Sequence, residues 1–267
     1  MTQAAFIGID LGTSSIKVIV VDPAGKLLAV ARSPMSVDVK RSGWSEQNPE
    51  DWWTETCSAI KQALSEIDGP EVLGVGLSGQ MHSLIALDST HQVVRPAILW
   101  NDVRSSAEAA YVRETVGNES LRRLTGNPSL EGFTVTKLLW MRNHEPDLYG
   151  RVSHLLLAKD YIRFRLTGEL GSEPSDASAT LLFDIVRSKW SGEMCELLDI
   201  DSNVLPPIIE SAQIAGRVTK SAAAQTGLAQ GVPVVGGGAD NACAAIGAGV
   251  VAAGDALFSV GTSGTVV

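Results

Sequence analysis

The sequence predicts an α/β protein built on a mixed sheet, and three observations carry that prediction. Three β-branched, apolar runs follow one another before residue 34, separated only by turn residues. A stretch of helical periodicity opens at Pro49. From Val72 onward, apolar strands alternate with helical segments. At 267 residues the chain is long enough to bury a core without disulfides or metals. A composition of 45% hydrophobic and 19% charged residues excludes intrinsic disorder.

The first three strands are Ala5–Asp10, Ile16–Asp22 and Leu27–Ser33, joined through Gly12-Thr13-Ser14-Ser15 and Pro23-Ala24-Gly25. A helix then starts by the usual rules, with Asn48 as N-cap, Pro49 at the first helical position and Glu50 and Asp51 in the first turn. Trp53, Ala59, Ile60, Ala63, Leu64 and Ile67 give it an apolar stripe, and Gly69-Pro70 stops it. Strands follow at Val72–Ser78, Ser83–Leu87 and Ala97–Trp100. Helices are predicted at Val103–Val116, Glu119–Thr125, Thr136–Asn143 and Lys159–Leu166, with one strand among them at Val152–Leu157. Glu169–Pro207 reads as irregular, and as a lid, a dimer surface or a plain connection. Helix Lys220–Thr226, strand Val232–Gly236, a Gly triplet, helix Asn241–Gly247 and strand Ala256–Val260 complete the reading.

Composition removes several classes of function. Twenty-one basic against thirty acidic residues leave a net charge of −9, without the basic footprint a nucleic-acid binder needs. The longest weakly polar stretch, Ala242–Ala253, is too short to span a bilayer. No basic residue precedes Lys17, so the N-terminus does not read as a secretory signal. Cys57, Cys195 and Cys243 are far apart, and His82, His91, His144 and His154 lack metal-ligand spacing. The chain therefore reads as cytoplasmic, with neither nucleic acid nor membrane as partner.

Four segments hold residues suited to chemistry. Gly12-Thr13-Ser14-Ser15 is either an ordinary hairpin turn or a phosphate cradle, with converging N–H groups, hydroxyl donors and Lys17 nearby. Asp10, at the end of the incoming strand, is placed to hold a hydrated Mg2+. Gly236-Gly237-Gly238-Ala239-Asp240-Asn241 lies between a strand and a helix, where α/β folds put ligands. There Asp240 either caps the helix or accepts a proton from a sugar hydroxyl. Gly79-Gln80-Met81-His82 brings an amide and an imidazole to a strand end, suited to hydroxyl recognition or to structure. Trp100-Asn101-Asp102-Val103-Arg104 packs an aromatic, an amide, an acid and a guanidinium together, or is a strand end with Asp102 capping a helix.

Other matches fail on context. Gly247-Ala248-Gly249-Val250-Val251-Ala252 fits a dinucleotide pattern, but it follows a helix rather than a strand. The sequence has neither a GxxxxGK[ST] loop nor a GxSxG elbow. One internal similarity stands out. Ile9–Ser15 and Ser259–Gly264 are each an apolar strand feeding a Gly-Thr-Ser turn. Because the chain stops on the strand after the second turn, it is expected to be the front lobe of a longer, two-lobed protein.

Taken in order, Gly8–Ser14, Gly43–Gln47, Gly79–His82, Trp100–Asp102, Gly236–Asn241 and Gly261–Gly264 resemble the FGGY family of carbohydrate kinases. Gly132–Trp140 resembles that family's long central signature. The resemblance implies a ribonuclease H-like lobe of an actin-like ATPase fold, with helical insertions in the sheet. It implies a sugar-binding lobe over residues 1–252, and over 253–267 the first strand and phosphate turn of a nucleotide-binding lobe. It further implies ATP and Mg2+ as cofactors, Asp240 as general base and Asp10 on Mg2+ and phosphate. Gln80, Met81, His82, Trp100, Asn101, Asp240 and Asn241 would face the sugar. Gly12, Thr13, Ser14, Lys17, Gly261, Thr262 and Ser263 would face the nucleotide. Glycerol kinases carry an Arg-Glu pair where this chain has Met81-His82, so the resemblance implies D-xylulose rather than glycerol. Ser83, where Gly is more usual, leaves ribulose or another polyol open. A stand-alone, non-catalytic sugar-binding module stays open as an alternative, and so does a homodimer.

Overall fold

The computed structural model of the chain describes residues 3–260 and 264–266. Its frame is a seven-stranded mixed sheet. Strands β1 (Ala4–Leu11), β2 (Ser15–Val21) and β3 (Leu27–Pro34) form an antiparallel meander. Alternation decides which face each residue takes. Ile7, Ile9 and Leu11 point into the core, whereas Phe6, Gly8 and Asp10 look the other way. Helix α1 (Pro49–Ser65) covers the inner face with Trp52, Ala59, Ile60 and Ala63. Asn48 caps it as expected, its side chain accepting the Glu50 N–H at 3.2 Å.

Strand β4 (Glu71–Gly79) returns parallel to β1, and the chain then leaves the sheet for a long helical insertion. Helices α2 (Ser106–Val116), α3 (Asn118–Thr125) and α4 (Thr134–His144) enclose a second core around Val112, Leu121, Leu138, Leu139 and Met141. Helix α5 (Ala158–Thr167) comes back to α1 and the sheet, putting Tyr161, Ile162 and Leu166 into the first core. After the single turn α6 (Pro174–Ala177), the sheet is completed by β5 (Ile214–Arg217), helix α7 (Lys220–Thr226) and β6 (Pro233–Val235). The short β7 (Gly238–Ala239) runs straight into helix α8 (Asp240–Gly247). The strand order is β5-β6-β4-β1-β2-β3, with β7 also paired to β4. Four strands, β1, β4, β6 and β7, run parallel, so their carboxyl ends share one edge.

The predicted mixed sheet and most of the elements are present, and the differences have local causes. The helix expected from Val103 begins at Ser106, and Asp102 does not cap it. That carboxylate is buried, accepting the Ser45 N–H at 2.6 Å and the Arg104 N–H at 2.9 Å. The strand expected at Ser83–Leu87 shortens to Ile85–Leu87, because the Ser83 N–H closes a turn onto the Met81 carbonyl at 2.8 Å. The irregular reading of Glu169–Pro207 missed α6, a Phe183–Asp184/Lys189–Trp190 hairpin and the short helix Gly192–Leu197. Strand β5 went unread because its four residues include Gly216. The Gly261–Ser263 turn lies outside the described residues. Among the described residues no helix is long and apolar enough to cross a membrane.

Candidate functional site

The shared strand edge gathers the two candidate carboxylates. Ser78 of β4 is in register with Asp10 on one side and with Gly238 on the other. Asp240 follows two residues after Gly238, so both acids sit at carboxyl ends of parallel strands, where open α/β sheets bind ligands. The charge of Asp10 reaches Asp240. Burial raises the Asp240 carboxyl above its ordinary range, the Asn241 N–H opposes the rise, and the charge of Asp10 adds to it. Burial raises Asp10 too, against a Ser78 hydroxyl bond and the charge of Lys17, its register partner on β2. Asp240 is the first residue of α8 rather than its cap. Its Oδ1 takes the Asn241 N–H at 2.7 Å, which leaves the second oxygen uncommitted among the described hydrogen bonds.

The Gly-rich segment before Asp240 has no room for side chains. Gly237 has φ 86°, and a Cβ there would run into the Leu77 carbonyl oxygen. A Cβ on Gly238 would come within 2.8 Å of the Cys243 sulfur. Gly237→Ala is therefore expected to destabilise the fold by about 1–3 kcal/mol, the usual cost of a strained backbone position. Circular dichroism melting checks this, and an unchanged midpoint would contradict it.

Met81 and His82 follow the carboxyl end of β4, and Trp100 follows the short strand Ala97–Ile98. His82 itself adopts a left-handed φ of 65°, uncommon for a non-glycine residue and held here by its partners. Its Nδ1 lies 2.7 Å from the Ala179 carbonyl, and its ring meets Phe133 edge-on at 4.7 Å. A carbonyl partner requires the proton on Nδ1, which makes Nε2 a hydrogen-bond acceptor. Burial pushes the imidazole down to about 4, with Lys137 adding in the same direction, so it is neutral at physiological pH. Asn241 Nδ2 approaches the Met81 sulfur at 3.7 Å, which ties the Met81–His82 turn to the Asp240 helix.

Other predicted residues take supporting positions. Gln80 is buried, its amide donating to Gln47 and its carbonyl accepting from Ser83 and Thr13. Thr13 donates to Gln80 and accepts from the Trp100 indole at 2.9 Å, so its hydroxyl proton is directed into the protein. Gly12 sits in a tight turn, where a Cβ would approach the Ser15 carbonyl to 2.9 Å. Ser14 and Asn101 are exposed, and Trp100 is 39% exposed beside the turn. Ser83 is fully buried, its hydroxyl donating to the Gln80 carbonyl at 3.2 Å.

Among the described residues no three His, Cys, Asp or Glu side chains cluster as a metal cage. A hydrated Mg2+ keeps most of its water and needs only one or two carboxylates, a requirement that a lone Asp10 at the strand end would not contradict. A cavity of about 450 Å³ opens beside Asp10 and Lys17 and runs along Gly8, Gly76, Ser78 and Val235. A larger groove of about 770 Å³ lies at Asn48, His91 and Arg165, and neither carboxylate lines it.

Sequence reasoning missed Ser78, Glu173, Ser175 and Ala179. The run Glu173-Pro174-Ser175-Asp176 did carry a signal, an acid before a Pro at a helix start.

A mixed sheet with acids at its parallel strand ends and a long helical insertion defines a ribonuclease H-like lobe of the actin-like fold. The chain belongs to the FGGY family of carbohydrate kinases, whose N-terminal domain profile matches residues 5–247. It is 44% identical over 263 residues to the xylulose kinase of Bacillus subtilis strain 168, covering 98% of this chain and 52% of that protein. It is 41% identical to the xylulose kinase of Escherichia coli K12, covering 97% and 53%. The crystal structure of a xylulose kinase from Rhodospirillum rubrum superposes with a TM-score of 0.94 at 30% identity, covering 97% of this chain and 54% of that one. The chain thus spans about half the length of the curated relatives it matches.

Proposed function

We propose that this chain is the sugar-binding lobe of a kinase that transfers the γ-phosphoryl group of ATP to D-xylulose, giving D-xylulose 5-phosphate. Residues 1–252 form that lobe in this reading, and 253–267 open a nucleotide-binding lobe. The observation that carries the proposal is that Asp10 and Asp240 sit at strand ends on either side of β4, at the carboxyl edge of the parallel strands. Similarity to xylulose kinases at 40–44% identity supports the choice of sugar. Three free cysteines and the net charge of −9 support a cytoplasmic protein that binds neither nucleic acid nor membrane.

Phosphoryl transfer needs in-line positioning and charge neutralisation more than covalent help. His82 Nε2 accepts a sugar hydroxyl hydrogen, and Met81, Trp100 and Asn241 flank the sugar. Asp240 takes the proton of the attacking hydroxyl, a task its raised carboxyl suits. Asp10 would hold a hydrated Mg2+, which when bound would supply neutralisation of phosphate charge. The Gly12–Ser15 backbone and Lys17 face the phosphates, as do Gly261, Thr262 and Ser263 in this reading.

Titration calorimetry of this chain with D-xylulose, D-ribulose and glycerol tests the reading. Saturable binding of D-xylulose, weakened by His82→Ala and by Asp240→Ala, is expected. Equal binding of glycerol, or insensitivity to both substitutions, would overturn the choice of sugar or of site.

The imidazole also sets a pH dependence. Folding depresses its pKa from 6.5 to about 4, so between those values the unfolded chain binds the extra proton. Its contribution to stability is thus complete above pH 6.5 and is lost as the pH falls through 6.5 toward 4. Sugar affinity is expected to stay level from pH 8 to 5 and to fall only near 4. Calorimetry across that range checks it, and a midpoint near 6.5 would show an ordinary, solvated histidine.

A further inference from the structure

We infer that the segment Glu173–Ala179 aligns the His82 turn with the loop before Asp240, with Ser175 and Glu173 as positioning residues for Asp240. The segment bonds to both at once. The Ser175 hydroxyl accepts the Ala239 N–H at 2.9 Å, one residue before Asp240. Four residues on, the Ala179 carbonyl fixes the His82 imidazole. One short stretch of chain therefore sets the spacing between the base and the sugar-binding ring.

The hydroxyl is itself directed. Ser175 Oγ lies 2.8 Å from both oxygens of the buried Glu173 carboxylate, so its proton points there and its lone pairs face Ala239. The same carboxylate accepts the Ser175 and Asp176 N–H groups and the Ser211 hydroxyl, each within 2.9 Å. Lys159, fully buried, reaches Glu173 at 3.2 Å and Asp176 at 3.1 Å. Arg163 donates to the Gly236 carbonyl at 2.7 Å, and the Gly237 N–H donates to the Ser211 carbonyl at 3.0 Å. The loop before Asp240 is thus bonded at Gly236, Gly237 and Ala239. Its last bond before the base comes from Ser175.

The kinetic consequence rests on the reading of Asp240 as the base, whereas the alignment itself is a property of the fold. Two measurements separate them. In this chain, Ser175→Ala should speed amide hydrogen exchange about five- to tenfold over Gly236–Asn241 and leave the rest of the sheet unchanged, the effect of one lost bond to a buried amide. Ser175→Thr should restore protection. In a full-length kinase carrying this lobe, Ser175→Ala should lower kcat by a similar factor with the sugar KM nearly unchanged. Unchanged exchange over Gly236–Asn241, or acceleration spread over the whole domain, would overturn the alignment role. Local loosening with kcat unaltered would leave the alignment standing and remove Asp240 as the base.

Discussion

Asp240→Asn is expected to lower kcat at least about a hundredfold, the lower range of general-base catalysis, with sugar affinity nearly unchanged. The substitution is chosen for what it keeps. An Asn oxygen still accepts the Asn241 N–H that Asp240 Oδ1 now takes at 2.7 Å, and the side chain has the same shape. What disappears is the ability to bind a proton. Burial and the charge of Asp10 hold the Asp240 carboxyl above its ordinary range. The acid limb of the kcat profile should therefore lie above that of a free carboxylate, and it should vanish in the Asn variant. Sugar-dependent ADP release by the full-length kinase measures both effects. Near-normal turnover by the variant would remove Asp240 from the chemistry.

The positions of the candidate residues were legible where they depend on local sequence. The apolar run Ala5–Asp10 put Asp10 at a strand end, and the Gly triplet before Asp240 marked a backbone that must lie close to something. That something is partly the protein itself, namely the Leu77 carbonyl behind Gly237. Where a side chain could either cap or bond at long range, local sequence did not decide. Asp102 had the type and position of a helix cap, yet it turns inward to Ser45, 57 residues away. Thr13 and Gln80 had the types of ligand contacts, and they bond each other across 67 residues.

The alignment segment was illegible for the same reason. Ser175 meets Ala239 across 64 residues and Ala179 meets His82 across 97, and each side chain or carbonyl is ordinary by itself. Only the return of α5 to the sheet brings the segment under the site. Buried ions such as Lys159 and Asp160 are similarly hard to read, because charged residues are rarely buried unless paired, and the pairing is tertiary.

That buried pairing gives the second large effect. Lys159→Met is expected to destabilise the chain by about 3–5 kcal/mol, the cost of leaving buried charge without its partner. Lys159 contacts Asp160 at 2.8 Å, Asp176 at 3.1 Å and Glu173 at 3.2 Å, with every one of these side chains fully buried. Without it, Arg163 is, among the described residues, the remaining cation in contact with the cluster, and it bonds Asp160 rather than Asp176. Met preserves most of the aliphatic stem, whose Cβ packs at the β4 terminus near Gly79, so the loss isolates the charge. The sign of the pH dependence distinguishes this from a packing defect. Burial already raises the Asp176 carboxyl, and losing Lys159 must raise it further. A carboxyl raised in the fold binds a proton that the unfolded chain does not, so stability is regained as the pH falls. The deficit in melting temperature should therefore be on the order of 10 °C at pH 8 and smaller at pH 5. Thermal melts of the two chains at both pH values decide it. A deficit that is equal at both would assign the loss to packing, and no deficit would show that the cluster holds its charge without Lys159.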